Sequence, residues 1–264
     1  MLPTPSTSHV PYTRVYEPAE DSFLLLDTLS SASETSFLSR RFPISPSPST
    51  TTTTPSPTPL VVEIGPGSGV VLAFVTAHVR ALFSRRDVLT LGIDVNRFAC
   101  KATGQTVRRA VEEDAAESGH GSGYHLGVGQ GDLTSALRKG TVDVLVFNPP
   151  YVPTDQVPAV PQGEAAVKDR TTYEEDSNLL ALSYAGGRDG MEITERLIGE
   201  LPGVLAERGV AYLLLCAQNK PEEVKGRIRG LEGGGGLRWR AETVGTSGKQ
   251  AGWEKLQIVR IWRE

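Results

Sequence analysis

The sequence predicts a single α/β domain built on a seven-stranded, mostly parallel sheet, with helices on both faces and an antiparallel pair of strands at its C-terminal end. From residue 60 onward, short apolar runs rich in β-branched residues alternate with longer helical patterns, which is typical of a parallel sheet with helical crossovers. The last two strand patterns, residues 237–244 and 255–262, are expected to form the closing antiparallel pair. A length of 264 residues suits one domain of this kind.

The chain before the sheet is predicted to contain a tail, one helix and an insertion. Residues 1–15 begin polar and proline-rich, and we expect a mobile tail, so that the folded domain spans residues 16–264. Pro18 and the acidic residues after it suit the first turn of a helix that ends near Ser31. The tract at 43–59 is dominated by proline, serine and threonine and is predicted to be a disordered insertion.

The remaining elements alternate between strands and helices in chain order. The other predicted strands are 60–64, 88–93, 124–128, 142–147 and 209–216. The predicted helices are 70–82, 97–117, 191–206 and 221–229. A longer polar and acidic segment, residues 152–188, interrupts the alternation, and such a segment in a compact domain usually covers a site.

The composition argues against several classes of function. A net charge of −4 is unfavourable for tight, non-specific binding to nucleic acid, which needs a basic surface. The N-terminus lacks a secretory or transit pattern, and no apolar run approaches the roughly 20 residues of a membrane span. Two cysteines and four histidines show no metal-ligand spacing, so we expect no metal. We expect an intracellular protein, cytoplasmic and with the nucleus as a second compartment.

The stretch that organises the predicted site is Val142–Tyr151. Its first half is an apolar run typical of a buried central strand. Pro149 and Pro150 end that strand, because proline cannot donate a backbone hydrogen bond to a sheet. Asn148 should therefore lie at the carboxyl end of a central strand, where open α/β sheets bind their ligands. Tyr151 would provide an aromatic wall.

This arrangement suits a nitrogen that attacks an electrophile. The side-chain oxygen of Asn148 and the backbone carbonyl of Pro149 could both accept hydrogen bonds from one planar –NH2 group. Two such acceptors fix the group and favour the positive charge that develops on its nitrogen. The other interpretation is a strand followed by a proline-rich turn without function, and this stretch alone leaves both open.

A glycine-rich turn and three acids indicate the ligand. Glu63 precedes the turn, Asp94 ends the second strand and Asp132 follows the third. Glycine lets the backbone approach a ligand closely. The three glycines of the turn are Gly65, Gly67 and Gly69. A dinucleotide fold uses a similar turn, but the spacing here is Gly-x-Gly-x-Gly, and an acid beside the first glycine would repel a pyrophosphate.

The same acid would attract a cation, and S-adenosylmethionine carries an ammonium, a sulfonium and two ribose hydroxyls. We therefore expect Asp94 to bind the ribose hydroxyls and Asp132 the adenine amino group. Glu63 would face the amino-acid end of the cofactor, directly or through water. Each acid alone could be structural, but their shared position at strand ends above a glycine-rich turn favours the cofactor.

Several motifs resemble those of class I amino-methyltransferases, and two of them narrow the resemblance to the eukaryotic HemK-like glutamine methyltransferases of class 1 release factors. The general motifs are Glu63-Ile64-Gly65-x-Gly67-x-Gly69, Asp94, Asp132-Leu133 and Asn148-Pro149-Pro150-Tyr151. The narrower ones are Tyr16-Glu17-Pro18-Ala19-Glu20-Asp21-Ser22-Phe23-Leu24-Leu25 and Ala185-Gly186-Gly187-Arg188-x-Gly190. The match runs from about Tyr16 to the C-terminus. It departs from the family at Pro66, where serine is more usual, and in the tract at 43–59.

The resemblance implies a Rossmann-like class I methyltransferase fold, with catalysis at Asn148–Tyr151. It also implies that Leu133 and four residues near the first helix reach the cofactor, namely Tyr16, Glu20, Asp21 and Ser22. The implied substrate is the glutamine of a Gly-Gly-Gln loop in the class 1 release factor, presented with the GTPase partner of that factor. Members of the family work as heterodimers with a small zinc-binding activator protein.

Other activities remain open at this level. A DNA adenine methyltransferase would use the same motif around Asn148, although the negative net charge is unfavourable for it. Histone lysine methylation is a second alternative, and a cofactor-binding scaffold without activity is a third. For the activator, we expect a sheet edge formed by the second and third strands, with Val88, Leu89 and Leu91 as its apolar residues.

Overall fold

The computed structural model describes residues 2–44, 57–117, 121–161, 163, 171–233, 236–248 and 255–264. Most of the insertion predicted at 43–59, namely residues 45–56, lies outside this range, so the prediction of disorder there stays a prediction. Among the described helices, none combines the length and the apolar character needed to cross a membrane.

The core of the fold is a seven-stranded sheet. Its strands are β1 (Leu60–Ile64), β2 (Leu89–Asp94), β3 (Tyr124–Gln130), β4 (Val142–Phe147), β5 (Leu205–Cys216), β6 (Trp239–Thr246) and β7 (Leu256–Arg263). They are ordered β3-β2-β1-β4-β5-β7-β6. β1 to β5 pair in parallel, whereas β7 runs antiparallel to both β5 and β6. The predicted mostly parallel sheet with a C-terminal antiparallel pair is confirmed.

Helices cover both faces of this sheet. They are α1 (Glu20–Ser30), α2 (Ala32–Arg41), α3 (Val70–Ala77), α4 (Val79–Phe83), α5 (Arg97–Glu117), α6 (Tyr173–Ala181), α7 (Glu192–Val204) and α8 (Pro221–Arg229). The central strand β4 shows how the faces alternate. Val144 and Val146 pack with α1 to α4, whereas Leu145 and Phe147 pack with α7 and α8. Burying a side chain of this kind stabilises the fold by about 1.5–3 kcal/mol.

Three helices differ from the prediction, and one of them is α6, which lies in the segment 152–188 where no helix was predicted. The helix expected at 70–82 is interrupted at His78, which has non-helical torsion angles. α2 was not predicted. Ser31 is extended and accepts a hydrogen bond from the backbone N–H of Glu34, so it ends α1 and caps α2. The Glu34 side chain is buried and accepts hydrogen bonds from Arg260 and Tyr212, which holds α2 against β5 and β7.

The N-terminal segment is packed, which corrects the prediction of a mobile tail at 1–15. Val10 and Val15 are buried against Ala99 and Ala102 of α5. The backbone carbonyl of Arg14 also accepts a hydrogen bond from Asn96. The segment is therefore held by apolar burial that a polar, proline-rich composition does not reveal.

The β3 edge of the sheet exposes apolar side chains. Tyr124 and Leu126 of β3 are 64% and 56% exposed. Of the residues predicted for this edge, Leu89 and Leu91 are half-buried, whereas Val88 is fully buried. β3 pairs with β2 on one side and ends the sheet on the other.

Candidate active site

The carboxyl ends of β1, β2 and β4 meet at a cavity of about 270 Å³. Most of the predicted site residues line it: Tyr16, Ser22, Glu63, Gly65, Gly67, Asp94, Asp132, Leu133, Asn148 and Pro150. Five predicted residues lie outside this lining: Glu20, Asp21, Gly69, Pro149 and Tyr151. The cavity lies where an open α/β sheet binds its ligand.

The turn between β1 and α3 approaches the cavity with its backbone. Gly65 and Gly67 have positive φ angles of 60° and 55°, a region that favours glycine. Gly69 lies outside the cavity lining, so its predicted contact with the cofactor stays a prediction. A Cβ there would lie 2.6 Å from Cα of Thr103, so this glycine allows α3 to pack closely on α5.

Glu63 offers an unpaired acceptor. Its side chain is 3% exposed, and Oε2 has no hydrogen-bond partner among the described residues. Burial raises the pKa of Glu63 well above its ordinary value, opposed by the backbone N–H of Leu72 and reinforced by the charge of Asp94. A buried carboxyl group of this kind fits a ligand that brings hydrogen-bond donors and positive charge.

Asp94 is held in place by the backbone. Its Oδ1 accepts from the N–H of Asn96 at 2.8 Å, and its Oδ2 accepts from the N–H of Gly67 at 3.1 Å. Burial raises its pKa to about 6, and the same two hydrogen bonds act in the opposite direction. The carboxylate keeps further lone pairs for the hydroxyl groups of a ligand.

Asp132 and Leu133 line the opposite part of the cavity. Asp132 is about half exposed and forms an ion pair with Arg196 at 2.6 Å. Leu133 is buried with a positive φ of 49°, which is unusual for a residue other than glycine. The next residue, Thr134, explains how this strain is held, because its N–H and hydroxyl both donate to Glu200. Sequence reasoning missed Arg196.

Asn148 is fixed at one end of its amide and free at the other. Its Nδ2 donates to Oδ2 of Asp21 at 3.0 Å. Its Oδ1 is buried and has no hydrogen-bond partner among the described residues. An unsatisfied buried acceptor is costly, by about 1–3 kcal/mol, so its presence in a cavity wall indicates a ligand that donates to it.

The Pro-Pro-Tyr step after Asn148 is held by a neighbouring turn. Nδ2 of Asn219 donates to the carbonyls of Tyr151 and Asp189 at 3.2 and 3.1 Å. A Cβ at Gly190 would lie 2.0 Å from the carbonyl oxygen of Tyr151. The motif at 185–190 thus packs against the backbone of the catalytic stretch, and sequence reasoning missed Asn219.

Three of the five predicted residues outside the lining have other surroundings. Glu20 is exposed at the start of α1, outside the cavity lining. Asp21 contacts Asn148 rather than the cavity. Tyr151, predicted as an aromatic wall, packs instead against the core layer that contains α1. Its contact with a substrate therefore stays a prediction.

Two segments close the cavity, and we call them the cover: residues 10–16, and the described residues of 152–185. Val157, Pro158, Val160, Leu179 and Leu182 of the cover line the cavity. Arg14 forms an ion pair with Asp176 of α6 at 3.1 Å, which joins the two segments. The expectation that this polar segment covers a site is confirmed for the described residues.

Two curated relatives match nearly the whole chain. Methyltransferase HEMK2 of Mus musculus is 32% identical, over 98% of this chain and 96% of the mouse protein. The eRF1 methyltransferase catalytic subunit mtq2 of Schizosaccharomyces pombe is 30% identical, over 100% of this chain and 96% of that protein. No protein-family model matches the chain.

A solved structure supports the fold. The catalytic domain of hMettl16, in complex with MAT2A 3′UTR hairpin 1, is similar with a TM-score of 0.52 and 15% identity, over 96% of this chain and 72% of that chain. The predicted Rossmann-like class I methyltransferase fold is confirmed by this likeness and by the strand order. Because the similarity to the curated relatives extends over almost their full length, the chain belongs to the HEMK2 family of methyltransferases.

Proposed function

We propose that this chain transfers a methyl group from S-adenosylmethionine to the side-chain amide nitrogen of the glutamine in the Gly-Gly-Gln motif of the class 1 release factor. The observation that carries this proposal is the amide of Asn148, whose Nδ2 is held by Asp21 while Oδ1 is buried and has no hydrogen-bond partner in the described part of the chain. A planar –NH2 group is the donor that completes it. The names of the relatives, which include an eRF1 methyltransferase catalytic subunit, support this choice of substrate.

The residues of the cavity fit the cofactor. S-adenosylmethionine supplies a methyl group on a sulfonium, together with an ammonium, ribose hydroxyls and an adenine ring. The unpaired Oε2 of Glu63 would accept from the ammonium, and Asp94 would accept from the ribose hydroxyls. Asp132 would accept from the adenine amino group while keeping its ion pair with Arg196. Leu133 would contact the ring.

Positioning and charge stabilisation account for the transfer. An amide nitrogen is a poor nucleophile because its lone pair is delocalised into the carbonyl. Asn148 Oδ1, with the Pro149 carbonyl as the second predicted acceptor, would hold the substrate –NH2 group and favour the positive charge that develops on its nitrogen. Alignment of this kind can contribute about 7–11 kcal/mol. When bound, S-adenosylmethionine would supply the methyl group, the new carbon–nitrogen bond replacing its carbon–sulfur bond, and the methylated nitrogen would lose a proton to water.

Labelled S-adenosylmethionine and a panel of substrates test the proposal. The purified protein, with its activator partner, is incubated with release factor alone, with release factor bound to its GTPase partner, with DNA and with histone. We expect label on the release factor, lost when the Gly-Gly-Gln glutamine is replaced by alanine. Label on DNA adenine or histone lysine, with none on the release factor, would contradict the proposed substrate.

We further propose that the small zinc-binding activator docks on the β3 edge as part of a heterodimer. An edge strand presents unpaired backbone groups to a partner, and Tyr124 and Leu126 add exposed apolar surface. The test is co-purification. Leu126→Glu should lose the activator, whereas Thr246→Glu, at an exposed residue of β6 at the opposite edge of the sheet, should retain it. A Leu126→Glu protein that still co-purifies would contradict this docking site.

A further inference from the structure

The contact between Asp21 and Asn148 settles the direction in which the asparagine amide points. Oδ2 of Asp21 lies 3.0 Å from Nδ2 of Asn148. A carboxylate only accepts hydrogen bonds, so the –NH2 end of the amide must face Asp21. The oxygen end is then turned away from Asp21 and remains unpaired. A rotation of 180° about the amide torsion would set oxygen against oxygen and is therefore disfavoured.

The Asp21 carboxylate is itself held firmly. It is 2% exposed, in the first turn of α1. Its Oδ1 accepts from the N–H of Ser22 at 2.6 Å and from the Ser22 hydroxyl at 3.2 Å. Leu25 and Leu29 of the same helix are buried in the core, so the position of α1 is set by packing. Only Oδ2 remains to face Asn148.

We propose that Asp21 is a positioning residue for methyl transfer, which selects the amide orientation of Asn148 that presents an acceptor to the substrate –NH2. The inference rests on the proposed function, because only an amino-group substrate needs an acceptor there. Because Asp21 lies outside the cavity lining, this role takes the place of the cofactor contact predicted for it. Asp21 acts on the rate of transfer through Asn148 and does not touch the reacting atoms.

An amide in place of this carboxylate should reverse the arrangement. In Asp21→Asn, the single side-chain oxygen best accepts from the Ser22 N–H, which leaves the new –NH2 facing Asn148. Asn148 then turns its oxygen towards residue 21 and its own –NH2 towards the substrate, where two donors repel. We expect kcat to fall about 10- to 100-fold, because a required hydrogen bond is lost and a donor is left unpaired. The affinity for S-adenosylmethionine should stay within about twofold of wild type.

A reversed pair separates positioning from a general structural effect. In Asn148→Asp alone, two carboxylates face each other and repel. In the double variant Asp21→Asn with Asn148→Asp, the amide donates and the carboxylate accepts, so an oxygen again faces the substrate and the total charge is unchanged. We expect the double variant to be at least about tenfold faster than either single variant, a coupling that a structural role alone would not produce.

The measurements are kcat and KM on release factor, cofactor affinity by isothermal titration, and thermal unfolding. Asp27→Asn is the matched control, since it is the same substitution on the exposed face of α1, and its kcat and affinity should equal those of wild type. Three results would each overturn the inference. They are a kcat of Asp21→Asn equal to that of wild type, a fall in cofactor affinity as large as the fall in kcat, and a double variant that is no faster than both single variants. A wild-type protein without activity on release factor would instead overturn the proposed function.

Discussion

The floor of the cavity, formed by the carboxyl ends of β1, β2 and β4, is held differently from the cover. In the floor, β1 pairs with both β2 and β4, and two backbone N–H groups fix Asp94. The cover has backbone hydrogen bonds between Val152 and residues Tyr184 and Gly186, but its two segments are joined by a side-chain contact, the Arg14–Asp176 ion pair. Backbone ladders support one another, whereas a single ion pair near solvent contributes about 0–1 kcal/mol.

This difference separates two kinds of kinetic effect. Floor residues are held before any ligand binds, so changing Asn148 should alter the rate of transfer, and changing the ionisation of Asp94 should alter how cofactor affinity depends on pH. Cover residues close over the bound ligand with weaker contacts, so changing them should alter affinity and leave the rate nearly unchanged. Four predictions test this contrast.

The largest effect is expected for Asn148→Ala in the floor. Removing a preorganised polar group that stabilises developing charge costs about 10²–10³-fold in kcat, so turnover should be close to the limit of detection. Cofactor affinity should change little, because Glu63 and Asp94 remain. Single-turnover assays with labelled cofactor measure the first quantity and isothermal titration the second. Turnover equal to that of wild type would exclude Asn148 from the mechanism.

The next effect concerns the turn that supports the floor. Gly190→Ala would place a methyl group 2.0 Å from the carbonyl oxygen of Tyr151, at a φ of 67°. We expect the free energy of unfolding to fall by roughly 2–5 kcal/mol, through overpacking and an unfavourable backbone conformation. Turnover should fall as well, since Asn148 is three residues from the displaced backbone of Tyr151.

Gly199→Ala is the matched control for this change. Gly199 is exposed in α7, and a Cβ there would meet nothing within 4 Å. The same substitution should raise the free energy of unfolding by about 0.5–1 kcal/mol, as expected for glycine in a helix. Denaturant unfolding measures both proteins. Equal destabilisation by the two substitutions would show that crowding at Tyr151 is not the cause.

The floor was easier to predict from sequence than the cover. Patterns within ten residues predict the bounds of β1 and β4, because each strand is a short apolar run. The position of Asn148 follows from the consecutive prolines that end the second of these runs. The N-terminal segment is different. Val10 is buried against residues about 90 positions away, and nothing in its own neighbourhood indicates that.

Long-range polar contacts explain the other misses. Glu34 places a charged side chain on the buried face of α2, so this helix shows no clear apolar stripe. The partner of Glu34 is Arg260, 226 residues away. Asp132 pairs with Arg196, 64 residues away. The resemblance assigned Asp21 to the cofactor, which stays a prediction, but it did not indicate that the Asp21 side chain contacts Asn148, 127 residues away. Only the fold brings these partners together.

The third prediction concerns the protonation of the floor. Asp94 has a pKa of about 6, above its ordinary value because it is buried, and only its ionised form accepts from both ribose hydroxyls. At pH 5 about nine-tenths of it is protonated, so cofactor affinity should fall about tenfold between pH 7 and pH 5. Binding near pH 6 should release a proton. Isothermal titration in buffers of different ionisation enthalpy measures both.

The ionisation of Asp94 also affects the stability of the fold, with a sign opposite to the usual one for an acidic residue. The native state holds the proton more tightly than the unfolded state, so this group makes stability fall as pH rises from about 4 to about 6. Asp94→Asn should remove the contribution of Asp94 to the pH dependence of affinity and of stability. The contribution of Glu63, whose pKa is also raised by burial, should remain. An affinity that is constant from pH 5 to pH 7 in wild type would contradict the assignment.

The smallest effect is expected in the cover, where Arg14 and Asp176 are 25% and 17% exposed. Arg14→Ala should weaken cofactor affinity about two- to fivefold and leave kcat nearly unchanged, because the ion pair joins the two covering segments and touches no reacting atom. Arg14 also stacks on Phe98, so the single variant overstates the ion pair. A double-mutant cycle with Asp176→Ala isolates the pair, and we expect a coupling of up to about 1 kcal/mol.

The Arg240–Glu264 pair, half exposed and remote from the cavity, is the control and should show no coupling to affinity. If the Arg14 variants lowered kcat as strongly as Asn148→Ala, the cover would be part of the catalytic machinery, and the contrast with the floor would not hold.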